Sequence, residues 1–241
     1  MTLQYLAIQD AILSQIASGS LSEGQKLPSE RSLAESFSTT RITLREALSS
    51  LEIEGHIFRE DRRGWFVAPS ALQYDPNNVH SFNQMAISQG HTPKIEVISS
   101  HEQLANTEVT HLLSLPAFSK IYAVEQLRYL NDRPVVVVKN HVPVDRAPRL
   151  LGEDLTQSLT DIYQNKYHII YSKTQYKVSF TSLSGHAALL LRATPGSPAV
   201  RIERVNYDKH DRIIDCDIEL WRHDAISIQS MATLTSVDEC L

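Results

Sequence analysis

Apolar residues recur at spacings of three and four at the beginning of the chain. Tyr5, Ile8, Ile12 and Ile16 would share one face of a helix over residues 3–18. A glycine follows this pattern, as is typical where a helix ends. The spacing therefore predicts an amphipathic helix.

Two shorter helices are predicted next, and hydroxyl side chains mark their beginnings. Ser29 can accept a hydrogen bond from a free backbone N–H at the start of "SERSLAESF". Thr39 or Thr40 can cap the following helix in the same way, and Gly55 ends it. The apolar face of that helix carries Leu44, Leu48 and Leu51. These two helices are expected to meet across a tight turn.

The next segments predict a hairpin and a domain boundary. "HIFREDRRGWFVA" has β-favouring residues on both sides of a charged tip, which indicates two short strands. "PSALQYDPNN" has two prolines, two asparagines and no periodicity, so we predict an interdomain linker over residues 69–78. The first domain would then span residues 1–68, and the second residues 79–241.

Strand-like runs alternate with short helices in the second domain. The runs are "KIEVISSH", "KIYAVEQLRYL", "PVVVVKNHV", "YSKTQYKVSF", "AVRIERVNYD" and "RIIDCDIELWR". "YLNDRP" and "YDKHDR" are predicted hairpin turns, because Asn and Asp tolerate the turn backbone. The predicted fold class is α+β, with an antiparallel sheet in the second domain.

The composition excludes several classes of protein. The hydrophobic fraction of 42% and the charged fraction of 21% are ordinary for globular domains. No apolar run approaches the ~18 residues that cross a membrane. Cys216 and Cys240 lack the spacing of metal ligands or redox pairs. We therefore expect a cytoplasmic protein with no membrane partner and no metal or cofactor.

Two arginines stand one helical turn apart at the start of the third predicted helix. In a helix-turn-helix this end meets base edges in the major groove, and the guanidinium of Arg41 or Arg45 matches two guanine acceptors. The alternative is a solvated charged face. Arg31 on the preceding helix and two arginines at the hairpin tip favour DNA binding. Because the net charge is −5, any basic surface must be local.

The first domain resembles the winged helix-turn-helix of the GntR transcription regulators. The resemblance rests on "LPSERSLAESFSTTRITLREALSSLEIEGHIF" followed by "RRGWFV", and it implies a double-stranded DNA operator as partner. The residues that it places on DNA are Arg31, Thr40, Arg41, Thr43, Arg45, Arg63 and Gly64. Arg62 replaces the first glycine of the usual Gly-x-Gly wing, and we expect it to contact phosphate. Two-fold symmetric operators also predict a homodimer.

The second domain resembles the effector-binding domain of the HutC subfamily, whose fold is similar to that of chorismate lyase. The strings that carry this resemblance include "SFNQMAISQGHTPK", "LRYLNDRPVVVVKNHVP", "QSLTDIY" and "RVNYDKHDRIIDCDIELWRHD". Taken together with "RITLRE" and "DRRGWFV", they are most similar to regulators of phosphonate utilisation. The resemblance implies a small anionic effector, with 2-aminoethylphosphonate as the candidate.

The same resemblance implies which residues surround the effector. Ser81 and Phe82 match a helix start whose N–H groups face the pocket, and Arg128 matches a pocket arginine. Ser158 and Thr160 match hydroxyl donors at another helix start. Such groups can all donate to phosphonate oxygens. A glutamine two residues before Arg128 replaces a second arginine, so the pocket is expected to be less cationic.

The ammonium group of an amino-phosphonate needs a carboxylate. Asp217 and Glu219 alternate along a predicted strand, so both would face one side of it. A solvated sheet face is the alternative for this acidic run. Arg222 is expected to pair with one of the acids, and Asn140 and Tyr207 are expected to line the pocket.

Two other functions stay open on the sequence. A regulator of this architecture could sense a phosphorylated sugar or an amino-acid catabolite. The second domain could instead be a lyase-like enzyme. Against the enzyme, the sequence has no GxGxxG, P-loop or HExxH motif, and a fold alone does not transfer activity. We therefore expect a sensor rather than an enzyme.

Overall fold

Three helices and a hairpin enclose one apolar core in the first 67 residues. The computed structural model describes residues 2–77 and 81–231. The elements of this part are α1 (Thr2–Ala17), α2 (Glu30–Ser36), α3 (Arg41–Ile53), β1 (Ile57–Glu60) and β2 (Gly64–Val67). The predicted apolar face of α3 is completely buried against the other elements, at Leu44, Leu48 and Leu51. The helical periodicity thus predicted the core of this part correctly.

The predicted caps are present at both short helices. Ser29 Oγ accepts from the backbone N–H of Ser32 at 3.2 Å at the start of α2. Thr40, rather than Thr39, caps α3 and accepts from the N–H of Thr43 at 3.2 Å. Gly55 follows α3 with a φ of 78°, a conformation in which glycine carries no Cβ penalty. These local signals fix the direction in which α3 leaves the turn.

The segment predicted to be an interdomain linker contains a strand. β3 (Leu72–Tyr74) pairs in parallel with β10 (Ile226–Ile228) at the C-terminal side of the second domain. Leu72 and Tyr74 are buried in the core of that domain. A strand of three residues is too short to show a periodicity in the sequence. The prolines and asparagines around β3 also indicated a loop. Residue 78, at the end of the predicted linker, and residues 79–80 and 232–241 lie outside the described part.

The second domain is built on a six-stranded antiparallel sheet, as the sequence predicted. The strand order is β4-β5-β6-β9-β8-β7. The strands are β4 (Pro93–Leu104), β5 (Lys120–Leu130), β6 (Arg133–Pro143), β7 (Lys173–Ser182), β8 (Pro198–Tyr207) and β9 (Ile213–Arg222). Both predicted turns close hairpins, with positive φ at Asn131, Asp132 and Asp211. The register of these hairpins decides which polar side chains meet.

Short helices cover the two faces of the sheet. They are α4 (Phe82–Ser88), α5 (Thr107–Leu112), α6 (Leu159–Ile162) and α7 (Gly185–Leu190). Helices α4 and α6 pack on the face that carries Val124, Val138 and Trp221. Helices α5 and α7 pack on the opposite face. None of the helices within the described residues has the length and apolar character that crossing a membrane requires.

Candidate functional site

A cationic groove runs between the starts of α2 and α3 and the hairpin β1–β2. Its volume is about 520 Å³. The positively charged residues that line it are Lys26, Arg31, Arg41, Arg45, Arg59, Arg62 and Arg63. The predicted residue Gly64 lies in the same groove, whereas Thr40 and Thr43 lie at the cap of α3, with their hydroxyl oxygens 3.1 Å apart. The structure therefore brings six of the eight predicted DNA-binding residues to one surface.

Arg31 and Arg45 are exposed side chains of this groove, and each pairs with an exposed or half-buried acid. Arg41 is exposed, and Arg45 keeps 62% of its side chain accessible while its Nε donates to Glu30 at 2.7 Å. Arg31 pairs with Glu35. Exposed pairs of this kind contribute only ~0–1 kcal/mol, so phosphate or a base edge can replace the acid. Among the acids of these pairs, only Glu30 lines the groove, so a net-neutral segment can present a cationic groove.

Glu30 supports the arginine that it pairs with. Its carboxylate also accepts from Trp65 Nε1 at 3.1 Å, which ties the start of α2 to the hairpin. Burial tends to raise the pKa of Glu30, but the bonds from Arg45 and Trp65 outweigh burial and lower it. Glu30 is therefore ionised at neutral pH and orients Arg45. The sequence analysis did not select Glu30 or Arg59.

The hairpin tip has an unusual backbone at the position where an arginine replaces glycine. Arg62 has a φ of 59° and Gly64 a φ of 103°. A non-glycine residue in the left-handed region costs on the order of 1 kcal/mol. Arg63 pairs with Glu60, and its guanidinium lies 5.5 Å from the Phe66 ring centroid. The tip thus carries a positive charge at a position whose backbone conformation favours glycine.

A second site lies between the sheet, α4 and α6. It is a small, partly open cavity of about 30 Å³, room for about two water molecules. The predicted residues that line it are Ser81, Phe82, Arg128, Asn140, Ser158, Thr160, Asp217 and Glu219. Lining residues that the sequence analysis missed are Tyr74, Met85, Leu159, Tyr171, Arg204, Asp215 and Trp221. No group of residues within the described part is placed to hold a metal ion.

Arg204 holds the two acids that were predicted to bind an ammonium group. Its Nε and Nη2 donate to the two carboxylate oxygens of Asp217 at 2.7 Å each, and Nη2 lies 3.1 Å from Glu219 Oε1. All three residues lie on one face because strand register pairs position 204 with position 217. The alternative of a solvated acidic face is wrong, since Asp215, Asp217 and Glu219 are buried.

Arg128 is the other guanidinium of the cavity. It is buried, its Nε and Nη2 both donate to Gln126 Oε1, and its guanidinium lies 5.4 Å from the Phe82 ring centroid. Burial lowers the pKa of Arg128, although the nearby acids oppose this. Gln126 in turn donates to the carbonyl of Leu155 at 2.9 Å. The glutamine that replaces a second arginine therefore fixes the first one in place.

Ser81 and Asp215 are already engaged in hydrogen bonds. Ser81 forms a capping box with Gln84, so its backbone N–H and hydroxyl serve the start of α4. Asp215 accepts from Asn206 at 2.8 Å and from Tyr171 at 2.7 Å. Burial, followed by the charge of Asp217, raises the pKa of Asp215 to about 6. The polar lining is thus preorganised before any ligand enters.

Two residues predicted to lie in the pocket do not line the cavity. Tyr207 follows an irregularity in the register and donates to Gln175 at 3.3 Å on the opposite sheet face. Arg222 does not pair with Asp217 or Glu219. It faces the other side of β9, because side chains alternate along a strand, and donates to the carbonyl of Leu191 at 3.0 Å.

Family comparisons agree with both parts of the chain. The family described as bacterial regulatory proteins, gntR family, matches residues 4–67. The UTRA domain matches residues 88–227. The chain belongs to the GntR family and carries a UTRA domain.

This GntR-family regulator is similar to others along most of its length. It is 30% identical to the HTH-type transcriptional regulator YihL of Escherichia coli (strain K12) over 87% of this chain and 89% of YihL. It is 27% identical to the HTH-type transcriptional repressor NagR of Bacillus subtilis (strain 168) over 91% of this chain and 90% of NagR. The crystal structure of PhnF from Mycobacterium smegmatis shares the fold at 23% identity, with a TM-score of 0.67 over 95% of this chain and 100% of PhnF.

Membership of the family assigns the general role of each site. Relatives of this GntR-family regulator are helix-turn-helix transcription regulators, not enzymes. Such regulators bind operator DNA through the first domain and small effectors through the UTRA domain. The chain is therefore a DNA-binding transcription regulator, as the sequence predicted, and the lyase-like alternative is excluded.

Proposed function

We propose that this regulator acts in the cytoplasm as a homodimer, and that its effector is a small phosphonate, with 2-aminoethylphosphonate preferred. The genes that it controls would then serve phosphonate uptake or catabolism. The observation that carries the proposal is the mixed charge of the cavity: Arg128 at one position and the Asp217–Glu219 pair at another.

Arg128 supports an anionic group in the ligand. Both hydrogen bonds that it makes within the described residues go to Gln126, from Nε and Nη2. Its Nη1 donors therefore remain for a phosphonate oxygen. Ser158 and Thr160, which line the same cavity, can add hydroxyl donors. Bonds between a guanidinium and an anion are among the stronger hydrogen bonds in proteins.

The acids support a cationic group in the same ligand. Asp217 and Glu219 carry two negative charges when ionised, and Arg204 balances one of them. An ammonium group would balance the other, and it would use the carboxylate lone pairs that Arg204 leaves free. A ligand with one anionic and one cationic end therefore suits the lining better than a ligand with phosphate alone.

The size of the cavity favours a short ligand. The cavity is small, at about 30 Å³, so a short ligand fits it with less displacement of side chains than a long one. A two-carbon amino-phosphonate requires less displacement than a phosphorylated sugar. Size therefore favours the phosphonate over the sugar alternative.

For DNA, we propose that α3 enters the major groove. Arg41 and Arg45 would contact bases, Arg31, Thr40 and Thr43 would hold the backbone, and the hairpin tip would follow the adjacent groove. The exposure of the arginines in the cationic groove supports this arrangement. A homodimer would present two such grooves to a two-fold symmetric operator.

The effector proposal is tested by thermal unfolding of the purified protein with 2-aminoethylphosphonate, ethylphosphonate, fructose 6-phosphate and glutamate. At 100 times its Kd, a ligand specific for the folded state stabilises it by about 2.7 kcal/mol. We expect 2-aminoethylphosphonate to stabilise most and ethylphosphonate less, because it lacks the amine. Stabilisation by the sugar phosphate or by glutamate, without any by the phosphonates, would contradict the proposal.

Two arginine variants test whether the stabilisation by 2-aminoethylphosphonate arises at the cavity. Arg128→Gln should abolish stabilisation by 2-aminoethylphosphonate. Arg201→Gln should not, because Arg201 lies on β8 and pairs with Glu203 on the opposite face of the sheet. Circular dichroism checks that both variants fold. An unchanged response in folded Arg128→Gln would remove Arg128 from the ligand site.

A further inference from the structure

A ring of the DNA-binding domain is held between charged side chains of the UTRA domain. Phe58 on β1 is buried and stacks on Phe66 at a centroid distance of 5.4 Å. The guanidinium of Arg133 lies 3.6 Å from the Phe58 ring centroid, and that of Arg222 lies 5.2 Å from it. Both arginines belong to the second domain, so this contact joins the two domains.

A buried acid holds the two arginines together. Asp224 has no exposed side-chain surface and pairs with Arg133 and, at 3.3 Å, with Arg222. Burial alone would raise the pKa of Asp224, but the charges of the two arginines outweigh it and lower the pKa. Buried charges of this kind give little net stability, because each loses its hydration. What these buried charges provide is a fixed geometry around the Phe58 ring.

Hydrogen bonds extend this contact to the elements that carry the DNA-binding residues. Arg222 Nη2 donates to the carbonyl of Arg59 at 3.3 Å, on the strand that leads to the hairpin tip. His223 Nε2 contacts the carbonyl of Glu52 in the last turn of α3. The backbone N–H of Asp61, at the tip, donates to the carbonyl of Arg192 at 2.9 Å. The second domain thus contacts both α3 and the hairpin through hydrogen bonds.

The same strand leads from this contact to the effector cavity. Glu219 and Trp221 line the cavity from one face of β9, and Trp221 Nε1 donates to Glu219 Oε2 at 2.5 Å. Arg222 is the next residue and faces the other side. A planar peptide unit holds the Cα atoms of Trp221 and Arg222 about 3.8 Å apart, so a displacement of the β9 backbone at Trp221 also displaces Arg222.

We propose that Arg133, Arg222 and Asp224 are positioning residues that fix the angle of the DNA-binding domain through Phe58. We call these four residues the polar joint. Strand β9 transmits the state of the cavity to the polar joint, because Trp221 and Arg222 are neighbours on it. The transmission rests on the proposed effector function, whereas the positioning of the domain does not.

The positioning role is tested by the distance between two spin labels in the full chain. The labels are attached at Ser49→Cys on α3 and Thr181→Cys on β7, both exposed, with Cys240→Ser in the background; Cys216 is buried. The labelled protein is mixed with an excess of unlabelled protein, so that a dimer holds at most one labelled protomer. Wild type should then give one narrow distance distribution. Arg222→Gln and Phe58→Leu should each broaden or shift it. The unchanged distribution in both variants would overturn the proposal.

A matched variant controls for the loss of an arginine as such. Arg212 is exposed at the opposite end of the β8–β9 hairpin and pairs with Asp208. Arg212→Gln should keep the wild-type distribution. If circular dichroism shows that Arg222→Gln does not fold, the label distances in Phe58→Leu decide the positioning role. Phe58→Leu removes no charge.

The transmission is tested by operator binding with and without 2-aminoethylphosphonate, on a duplex selected by the purified protein. Wild type should change its operator affinity by about 5- to 150-fold, and Arg222→Gln by less than twofold while thermal unfolding shows that it still binds the phosphonate. A full change in Arg222→Gln would refute transmission through the polar joint. If the phosphonate fails to bind wild type, the effector proposal fails, and the label distances still decide the positioning role.

Discussion

The cationic groove and the effector cavity both contain arginine–carboxylate pairs, but the pairs differ in exposure. In the groove, the side chain of Arg45 is 62% exposed beside Glu30. In the cavity, Arg204 is 22% exposed, while its partners Asp217 and Glu219 are 4% and 2% exposed. Water screens the first kind of pair and is largely absent from the second. The same chemistry therefore gives an exchangeable contact in one domain and a fixed framework in the other.

This difference suits the two ligands of a transcription regulator. DNA brings many phosphates, and each exposed arginine can leave its acid for a phosphate at small cost. A small effector offers only a few groups, so its site has to be in place beforehand. The comparison predicts that equivalent substitutions in the two sites will have effects of different kinds and sizes.

The largest effect is expected from Arg204→Gln in the cavity. Removing this guanidinium leaves Asp217 and Glu219 buried with an uncompensated negative charge. Breaking a buried pair in this way costs about 3–5 kcal/mol. The measurement is urea unfolding at pH 7.5, followed by circular dichroism.

Arg212→Gln is the matched control for that experiment. Arg212 also pairs with an acid on the β8–β9 hairpin, but its side chain is 58% exposed. Its loss should cost less than the loss of Arg204, because water still solvates this end of the hairpin and because Asp208 keeps its bonds from the backbone N–H groups of positions 210 and 212. If the two substitutions cost the same, burial does not distinguish the pairs as we argue.

The next effect concerns the pH dependence of stability. Asp215 has its pKa raised to about 6 by burial and by Asp217. Between its ordinary pKa and pH 6 the folded state keeps a proton that the unfolded state has lost, so stability falls as pH rises through this window. The loss is about 3 kcal/mol, at 1.36 kcal/mol per pKa unit. Relative to wild type, Asp215→Asn should gain stability as pH rises from 4 to 7.

Asp208 should change stability with pH in the opposite direction, so it serves as the control. Bonds from Arg212 and the N–H of His210 outweigh burial at Asp208 and lower its pKa to about 2. Stability from Asp208 is therefore lost as pH falls toward that value. Urea unfolding of wild type, Asp215→Asn and Asp208→Asn across pH 3–8 measures both trends. Parallel pH curves for wild type and Asp215→Asn would show that the pKa of Asp215 is the same in the folded and unfolded states.

Local signals in the sequence predicted the DNA-binding domain well. The cap at Thr40, the apolar face of α3 and the end at Gly55 depend on residues within a few positions of one another. The face that carries Arg41 and Arg45 follows directly from the helical repeat. Little in this domain depends on distant parts of the chain.

The cavity was harder to predict, because it depends on pairing between strands. Arg204 contacts Asp217 because of the register of the β8–β9 hairpin. The predicted turn at "YDKHDR" does not by itself specify which residues of the two strands are paired. The alternation of side chains along β9 places Arg222 and Asp217 on opposite faces of the strand. The predicted pairing of Arg222 with one of the acids therefore conflicted with the alternation itself. Tyr74 enters the cavity from a three-residue strand too short to recognise.

In the cationic groove, Arg45→Ala tests readout of a base. Loss of a bidentate contact to guanine should weaken operator binding by about 1–3 kcal/mol and relax the preference at one base pair. Stability should change little, since the pair with Glu30 is exposed. Binding to the selected operator and to versions altered at single base pairs measures both effects.

Arg201→Ala controls for the removal of a positive charge, because Arg201 lies in the UTRA domain away from the groove. It should bind the operator as wild type does. An equal loss by Arg45→Ala on every sequence would mean that Arg45 contacts phosphate only.

The smallest effect is expected at the hairpin tip, where Arg62→Gly separates backbone strain from charge. Glycine removes the strain at φ 59°, but it also makes the unfolded chain more flexible, and these terms of about 0.5–1 kcal/mol oppose each other. Stability should therefore change by less than about 1 kcal/mol. If Arg62 contacts a phosphate, the slope of log affinity against log salt should fall by about 1. Arg62→Lys keeps the charge and should keep the wild-type slope, so equal slopes for all three proteins would exclude the phosphate contact.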